Sequence, residues 1–364
     1  MSTPRPLTQT PAMLTPLLAA PAEPEQYQRA NWQTMTGKVA RMEEQARPYP
    51  AALRRTVLVA NQKGGVGKTS ITVGVGAMVA RPATRQRPER RVLIVDADPQ
   101  GNATVSDLGV AGDRGAGLMK ALQYGEPPEV FRDVRPGLDL IAGGPLLAQA
   151  GGLSATAAQS GLDMVGNLMK ALAEVCAETN PAAVLIDSGP GDAPLLDALL
   201  QVSRYLIVPT RDDDASLSGV ELLALRYLRA RKLGPIQLLG VVLFDINPRA
   251  TARNAQVLAD LDELLQGSGA ACFPMMIRSD RAAALDLRTA HLTPGELVEA
   301  TSNASKARLA RLGRNGRHRA DAEPDEVDLR LWSRDPSPLA NDYQALAGEL
   351  LRRIATAEQE GTSA

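Results

Sequence analysis

Cysteine and histidine are nearly absent from this 364-residue chain, which has only Cys176, Cys272, His291 and His318. The two cysteines lie far apart, form no C-x-x-C pair and supply too few ligands for a zinc or iron–sulfur site. They suit a reducing compartment as small buried or half-buried residues. Two histidines add no basis for a metal centre. Aromatic residues make up only 3% of the chain, so the core must be aliphatic. A formal net charge of −1 points to no partner by itself, and any electrostatic attraction has to come from local patches. Long apolar runs are missing too. The first 24 residues carry six prolines and no unbroken apolar segment, which is neither a signal-peptide nor a membrane-span pattern. The expected location is the cytoplasm.

Three regions follow from the chain's texture. Residues 1–55 read as an N-terminal extension. It is Pro-rich and disordered to about residue 26, with one short helix expected over 26–46 before Pro48 and Pro50. It is too short for an independent helix-turn-helix domain, and it is read as either a flexible tail or an arm anchored by Trp32 on a neighbouring subunit. Residues 56–356 form the main domain, and 357–364 a flexible tail. From Thr56, short apolar runs alternate with helical periodicity. Strands are expected at 56–61, 91–98, 138–143, 182–188, 205–210 and 236–246, with a weaker one at 272–277. Helices are expected at 68–80, 161–178, 214–232, 250–266 and 338–357. Continuously apolar strands separated by helices mean an α/β fold, a mostly parallel sheet with helices on both faces. Two basic stretches, 81–91 with five arginines and 303–320 with six Lys or Arg, read as solvent-exposed insertions.

The segment N-Q-K-G-G-V-G-K-T-S (61–70) joins the first strand to the first helix. That context makes it a phosphate-binding loop. Gly64, Gly65 and Gly67, with Val66, let successive N–H groups curl inward, and the helix N-terminus adds positive potential. Lys68 is expected to reach the β- and γ-phosphates, Thr69 to ligate Mg2+, and Ser70 to lie near the α-phosphate. The loop therefore predicts a nucleoside triphosphate site with a P-loop NTPase-like fold. Two carboxylate motifs accompany it. V-L-I-V-D-A-D-P-Q-G-N (92–102) places Asp96 and Asp98 at a strand's C-terminal end, on the same side. A-A-V-L-I-D-S-G-P-G (182–191) delivers Asp187 at the end of another apolar strand, the position of a Walker B carboxylate beside the metal.

The general pattern G-x-x-x-x-G-K-[ST] requires glycine at 62, where this chain has Gln62. The form K-G-G-x-G-K-T, with its second lysine, resembles the ParA/MinD family of P-loop ATPases. D-x-D-P-Q-G-N narrows the likeness to ParA and Soj. The resemblance spans about 56–356 and implies an ATP-dependent partitioning ATPase with ATP and Mg2+ as its ligands. It implies that Lys63 extends across an ATP-sandwich homodimer to the partner's phosphates, that Asp98 positions the attacking water, and that Asp96 helps hold Mg2+ and its waters. Ser188-Gly189-Pro190-Gly191 departs from the family's two prolines after the Walker B aspartate and predicts a more mobile segment.

The same resemblance implies nonspecific binding of double-stranded DNA on the nucleoid, no membrane contact, and slow hydrolysis stimulated by DNA and a ParB-like centromere-binding partner. The candidate DNA contacts are Lys306, Arg308, Arg311, Arg314, Arg317 and Arg319, with the 81–91 loop as a second basic surface. Two alternatives stay open: a relative that positions a protein assembly by the same cycle, and a MinD-like membrane-associated protein. The polar, acidic end of the chain disfavours the second.

Overall fold

The computed structural model describes residues 47–154, 161–191, 193–314 and 330–363. Among the described residues, eight strands form one sheet: β1 (Thr56–Val59), β2 (Val92–Ala97), β3 (Phe131–Arg135), β4 (Leu138–Ile141), β5 (Ala183–Ser188), β6 (Tyr205–Thr210), β7 (Gln237–Ile246) and β8 (Ile277–Arg278). Their order is β3-β4-β2-β5-β1-β6-β7-β8, parallel throughout except for the β3–β4 pair. Every residue of β1, β2, β5 and β6 is buried, as a sheet covered on both faces requires.

Helices connect and follow them: α1 (Lys68–Val79), α2 (Ala116–Tyr124), α3 (Met164–Thr179), α4 (Ala193–Val202), α5 (Asp214–Leu233), α6 (Thr251–Leu264), α7 (Arg281–Thr289), α8 (Pro294–Arg314) and α9 (Ser337–Ser363), with a further helical turn at 150–154. The step from β1 to β2 moves one way along the sheet, and the step from β5 to β6 moves the other. With right-handed crossovers, α1 and α4 therefore lie on opposite faces. Helices α2, α3, α4 and α5 pack in succession in one layer, and α1, α8 and α9 in the other, with α7 against α8. The reversal of direction at the central β1 creates the crevice into which the 60–67 loop opens.

Several expectations need correction. The run 272–277 yields only the two-residue β8, because Pro274 lacks the N–H that a continuous ladder needs. The described part of the 303–320 stretch is no insertion: it continues α8 to Arg314, through Gly313. The arginine-rich 81–91 loop, by contrast, is solvent-exposed as expected, and a two-way backbone pair between Arg81 and Arg90 closes it. Residues 357–363 continue α9 where a tail was expected, since Leu346, Leu350, Ile354 and Ala357 repeat at helical spacing and are all buried. Glu358 closes that turn with an ion pair to Arg55 at 2.7 Å. Residues 47–55 also pack on the main domain: Leu53 is fully buried, and the Tyr49 hydroxyl donates to the carbonyls of Leu53 and Val202. The expected helix at 26–46 and the Trp32 anchor lie outside the described residues. Among the described residues, no helix is long and apolar enough to cross a membrane.

Candidate functional site

The loop leaving β1 turns into α1 at Gly67, whose φ of 89° lies in the left-handed region. A Cβ there would also sit 2.3 Å from the Phe244 ring of β7, so both conformation and space demand glycine. Helix α1 begins at Lys68 and is buried along most of its length, which fixes the loop against the core. The Lys68 ammonium donates to the Lys63 carbonyl at 2.9 Å, across the mouth of the loop. Burial lowers the Lys68 pKa, while the Asp187 and Asp98 carboxylates act in the opposite direction. Gly64 and Gly65 are exposed, Val66 is buried, and Thr69 and Ser70 are half-buried on the first turn of α1.

The carboxylates converge below this loop. Asp187 on β5 stands in register with Asp96 on β2 and with Val59 on β1. Asp187 is fully buried, and neither carboxylate oxygen accepts a hydrogen bond of regular geometry. Burial, then Asp96 and later Asp98, push its pKa well up, while the neighbouring Thr69 hydroxyl and Lys68 pull it down.

Asp96 is differently placed. Its Oδ2 accepts from the Thr104 N–H at 2.9 Å and the Thr104 hydroxyl at 2.7 Å, and its Oδ1 accepts from the Asp98 N–H at 3.2 Å. Burial nevertheless outweighs these bonds and pushes its pKa up to about 6. Asp98 is buried just beyond β2 and accepts from the Gln100 N–H at 2.9 Å. Gly189 leaves it room, since a Cβ at that position would lie 2.9 Å from its Oδ1.

An orphaned buried carboxylate beside a threonine hydroxyl suits Mg2+, which takes one or two carboxylates and fills its octahedron with waters and substrate phosphates. Among the described residues, no group of three or more His, Cys, Asp or Glu forms an all-protein cage. A cavity of about 470 Å³ adjoins the loop at Gly65 and Ser70 and runs between Phe244, Arg278 and Tyr343. It has the size of a small-ligand pocket.

The structure thus brings Lys68, Thr69, Asp96, Asp98 and Asp187 together. Lys63 instead directs its ammonium at Asp213, beyond the end of β6. Of the basic candidates, Lys306 and Arg308 are exposed on α8, and the same helix runs through positions 311 and 314. Arg317 and Arg319 lie outside the described residues. Sequence reasoning missed Thr104, Phe244, Gly189 and Asp213 as site residues. Only Asp213, in the acidic run after Thr210, carried a signal that could have found it.

A family profile described as an AAA domain matches residues 54–233. The chromosome-partitioning ATPase Soj of Thermus thermophilus is 35% identical over 191 residues, covering 52% of this chain and 68% of that protein. The chromosome partitioning protein ParA of Caulobacter vibrioides is 31% identical over 212 residues, covering 57% of this chain and 75% of that one. A solved structure described as cobyrinic acid a,c-diamide synthase from Mycobacterium smegmatis, with bound ATP analog and magnesium, is 28% identical. It covers 63% of this chain and 85% of that chain with a TM-score of 0.52. With its two-lysine loop, its converging carboxylates and these relatives, the chain belongs to the ParA/Soj family of partitioning ATPases.

Proposed function

We propose that this protein binds ATP with Mg2+ at residues 63–70 and hydrolyses it as an ATP-bridged homodimer that partitions DNA. The observation that carries the proposal is Asp187, a buried carboxylate that accepts no hydrogen bond of regular geometry, set beside Thr69 and below the phosphate loop. Asp187 and Thr69 hold the ion, and Asp96, in register with Asp187 one strand over, adds negative charge to the ion's surroundings. When bound, Mg2+ offsets the charge on the β- and γ-phosphate oxygens. Lys68 exchanges the Lys63 carbonyl for those oxygens. Asp98, fixed by the Gln100 N–H, orients the attacking water. Lys63 reaches the partner subunit's nucleotide and stabilises charge on the departing γ-phosphoryl, which makes hydrolysis depend on dimerisation.

The dimer binds double-stranded DNA without sequence preference, on the nucleoid, and a ParB-like partner stimulates hydrolysis and release. Lys306 and Arg308 are exposed on α8, and its backbone carries positions 308, 311 and 314 at three-residue steps along one side. The relatives named Soj and ParA support the partitioning reading, and the ATP analog and magnesium of the 28% identical structure support the ligands.

Sedimentation tests the proposal. The wild type is expected to run as a dimer on DNA with ATP and not with ADP, and Lys68→Ala to lose nucleotide binding. Asp98→Ala is expected to bind ATP and DNA without hydrolysing; normal turnover in that variant refutes its role.

A further inference from the structure

Lys63 is held from two sides in the separate chain. Its ammonium pairs with the Asp213 carboxylate at 2.5 Å. Its backbone N–H donates to Asn61 Oδ1 at 3.0 Å, and the Asn61 amide donates to the Pro209 carbonyl at 2.8 Å. Helix α5 passes so close that a Cβ on Gly219 would lie 2.5 Å from Asn61 Oδ1 and 3.4 Å from the Lys63 Cβ.

The carboxylate is fixed as well, because it belongs to a short strap. Arg211, Asp212 and Asp213 are consecutive, and each is tied to a different element. Arg211 pairs with Asp245 at the end of β7. Asp212 takes the Arg253 guanidinium of α6, at 3.0 Å to its carboxylate and 3.1 Å to its carbonyl. Asp213 takes Lys63.

We propose that Asp213 is a positioning residue that stores Lys63 within its own subunit until a partner's ATP draws it away. The inference rests on the reading that Lys63 acts across the dimer. Asp213 offers one negative charge, whereas ATP offers a triphosphate whose terminal group ADP lacks, so ATP competes for the ammonium better than ADP does. The Lys63 and Asp213 side chains are 33% and 43% exposed, which makes the pair a weak, solvent-screened latch. Forming the dimer breaks two such pairs. At the usual strength of exposed ion pairs, removing both tightens dimerisation roughly two- to thirtyfold. The latch sets the protein concentration at which ATP assembles the dimer.

Analytical ultracentrifugation with a non-hydrolysable ATP analogue and Mg2+ measures the effect. Asp213→Asn is expected to lower the dimer dissociation constant roughly two- to thirtyfold, and Asp213→Glu to restore the wild-type value. In a Lys63→Ala background, Asp213→Asn is expected to change nothing further, a result that a merely structural role does not produce. An unchanged or weaker dimer in Asp213→Asn, or a shift that persists without Lys63, overturns the storage role. A Lys63→Ala protein that dimerises and hydrolyses like the wild type instead overturns the trans-acting role itself, and the storage role with it.

Discussion

A methyl group at position 189 tests how tightly this site holds Asp98. Gly189 has no left-handed backbone to protect, so alanine is conformationally acceptable there. The obstacle is space. The added Cβ would lie 2.9 Å from Asp98 Oδ1 and 3.0 Å from Pro99 Cδ, where ordinary contacts begin at 3.4 Å. Asp98 must retreat by about 0.5 Å, roughly the tolerance within which a catalytic group stays productive. The same oxygen anchors the Gln100 N–H at 2.9 Å, so the retreat strains that turn as well. A misplacement of ~1 Å costs about a hundredfold in rate, so half of that predicts about a tenfold loss of ATP turnover. Lys68, Thr69 and Asp187 are untouched, and nucleotide affinity should stay within about twofold of wild type. Steady-state hydrolysis beside binding of a fluorescent ATP analogue separates the two effects. Gly191→Ala is the control: it meets no atom within 4 Å but forces a φ of 87° on alanine, so it is expected to lower stability without pressing on Asp98. Turnover in Gly189→Ala within twofold of wild type would refute the argument that Gly189 makes room for Asp98 in the water-orienting role proposed for it.

Two further outcomes follow from burial. Burial pushes Asp107 up to about 6 against the opposing pull of Arg288 and His291. A carboxyl whose folded pKa exceeds its unfolded value stabilises the fold when protonated, and that stability is lost as pH rises from about 4 to about 6. Asp107→Asn is therefore expected to raise unfolding stability at pH 8 by on the order of 1–3 kcal/mol and to leave it unchanged near pH 4; urea unfolding at the two pH values checks this. Deleting residues 357–364 removes the buried Ala357 and the Arg55–Glu358 pair, for an expected loss of about 1–2 kcal/mol in the same assay. A truncated protein as stable as the full chain would mean those residues are a tail after all.

The nucleotide half of the molecule was legible because its chemistry is local in sequence. Residues 63–70 carry their glycines, lysine and threonine in one run, and Asp96, Asp98 and Asp187 each end an apolar strand whose type is unambiguous. The parallel order followed from strands such as β2 and β5 that are apolar at nearly every position. Other features depend on contacts between distant segments. Strand β3, Phe-Arg-Asp-Val-Arg, is a half-exposed antiparallel edge with no apolar alternation to reveal it. The need for glycine at 67 combines a local φ with a ring from β7, and the glycine at 189 answers to a carboxylate from β2. Neither neighbour is visible along the chain. Three acids follow Arg211 in the run Arg-Asp-Asp-Asp, but its partners on β7, α6 and the phosphate loop appear only in the fold. At the chain end, the polar composition of 357–364 masked the buried ridge that carries α9 onward.

Helix α9 joins two distant parts of the site through adjacent residues. Asp342 grips the Arg278 guanidinium of β8 at 2.6 and 2.8 Å, while the Tyr343 ring lies against Gly74 of α1, where a Cβ would sit 2.6 Å away. The cavity beside the phosphate loop has Arg278 and Tyr343 in its wall. During synthesis the loop at 63–70 leaves the ribosome some 270 residues before Tyr343 completes that wall. A nascent chain carries the phosphate grip long before it carries the closing side of the pocket. Nucleotide can lend its full binding energy to folding only after translation has reached the last helix.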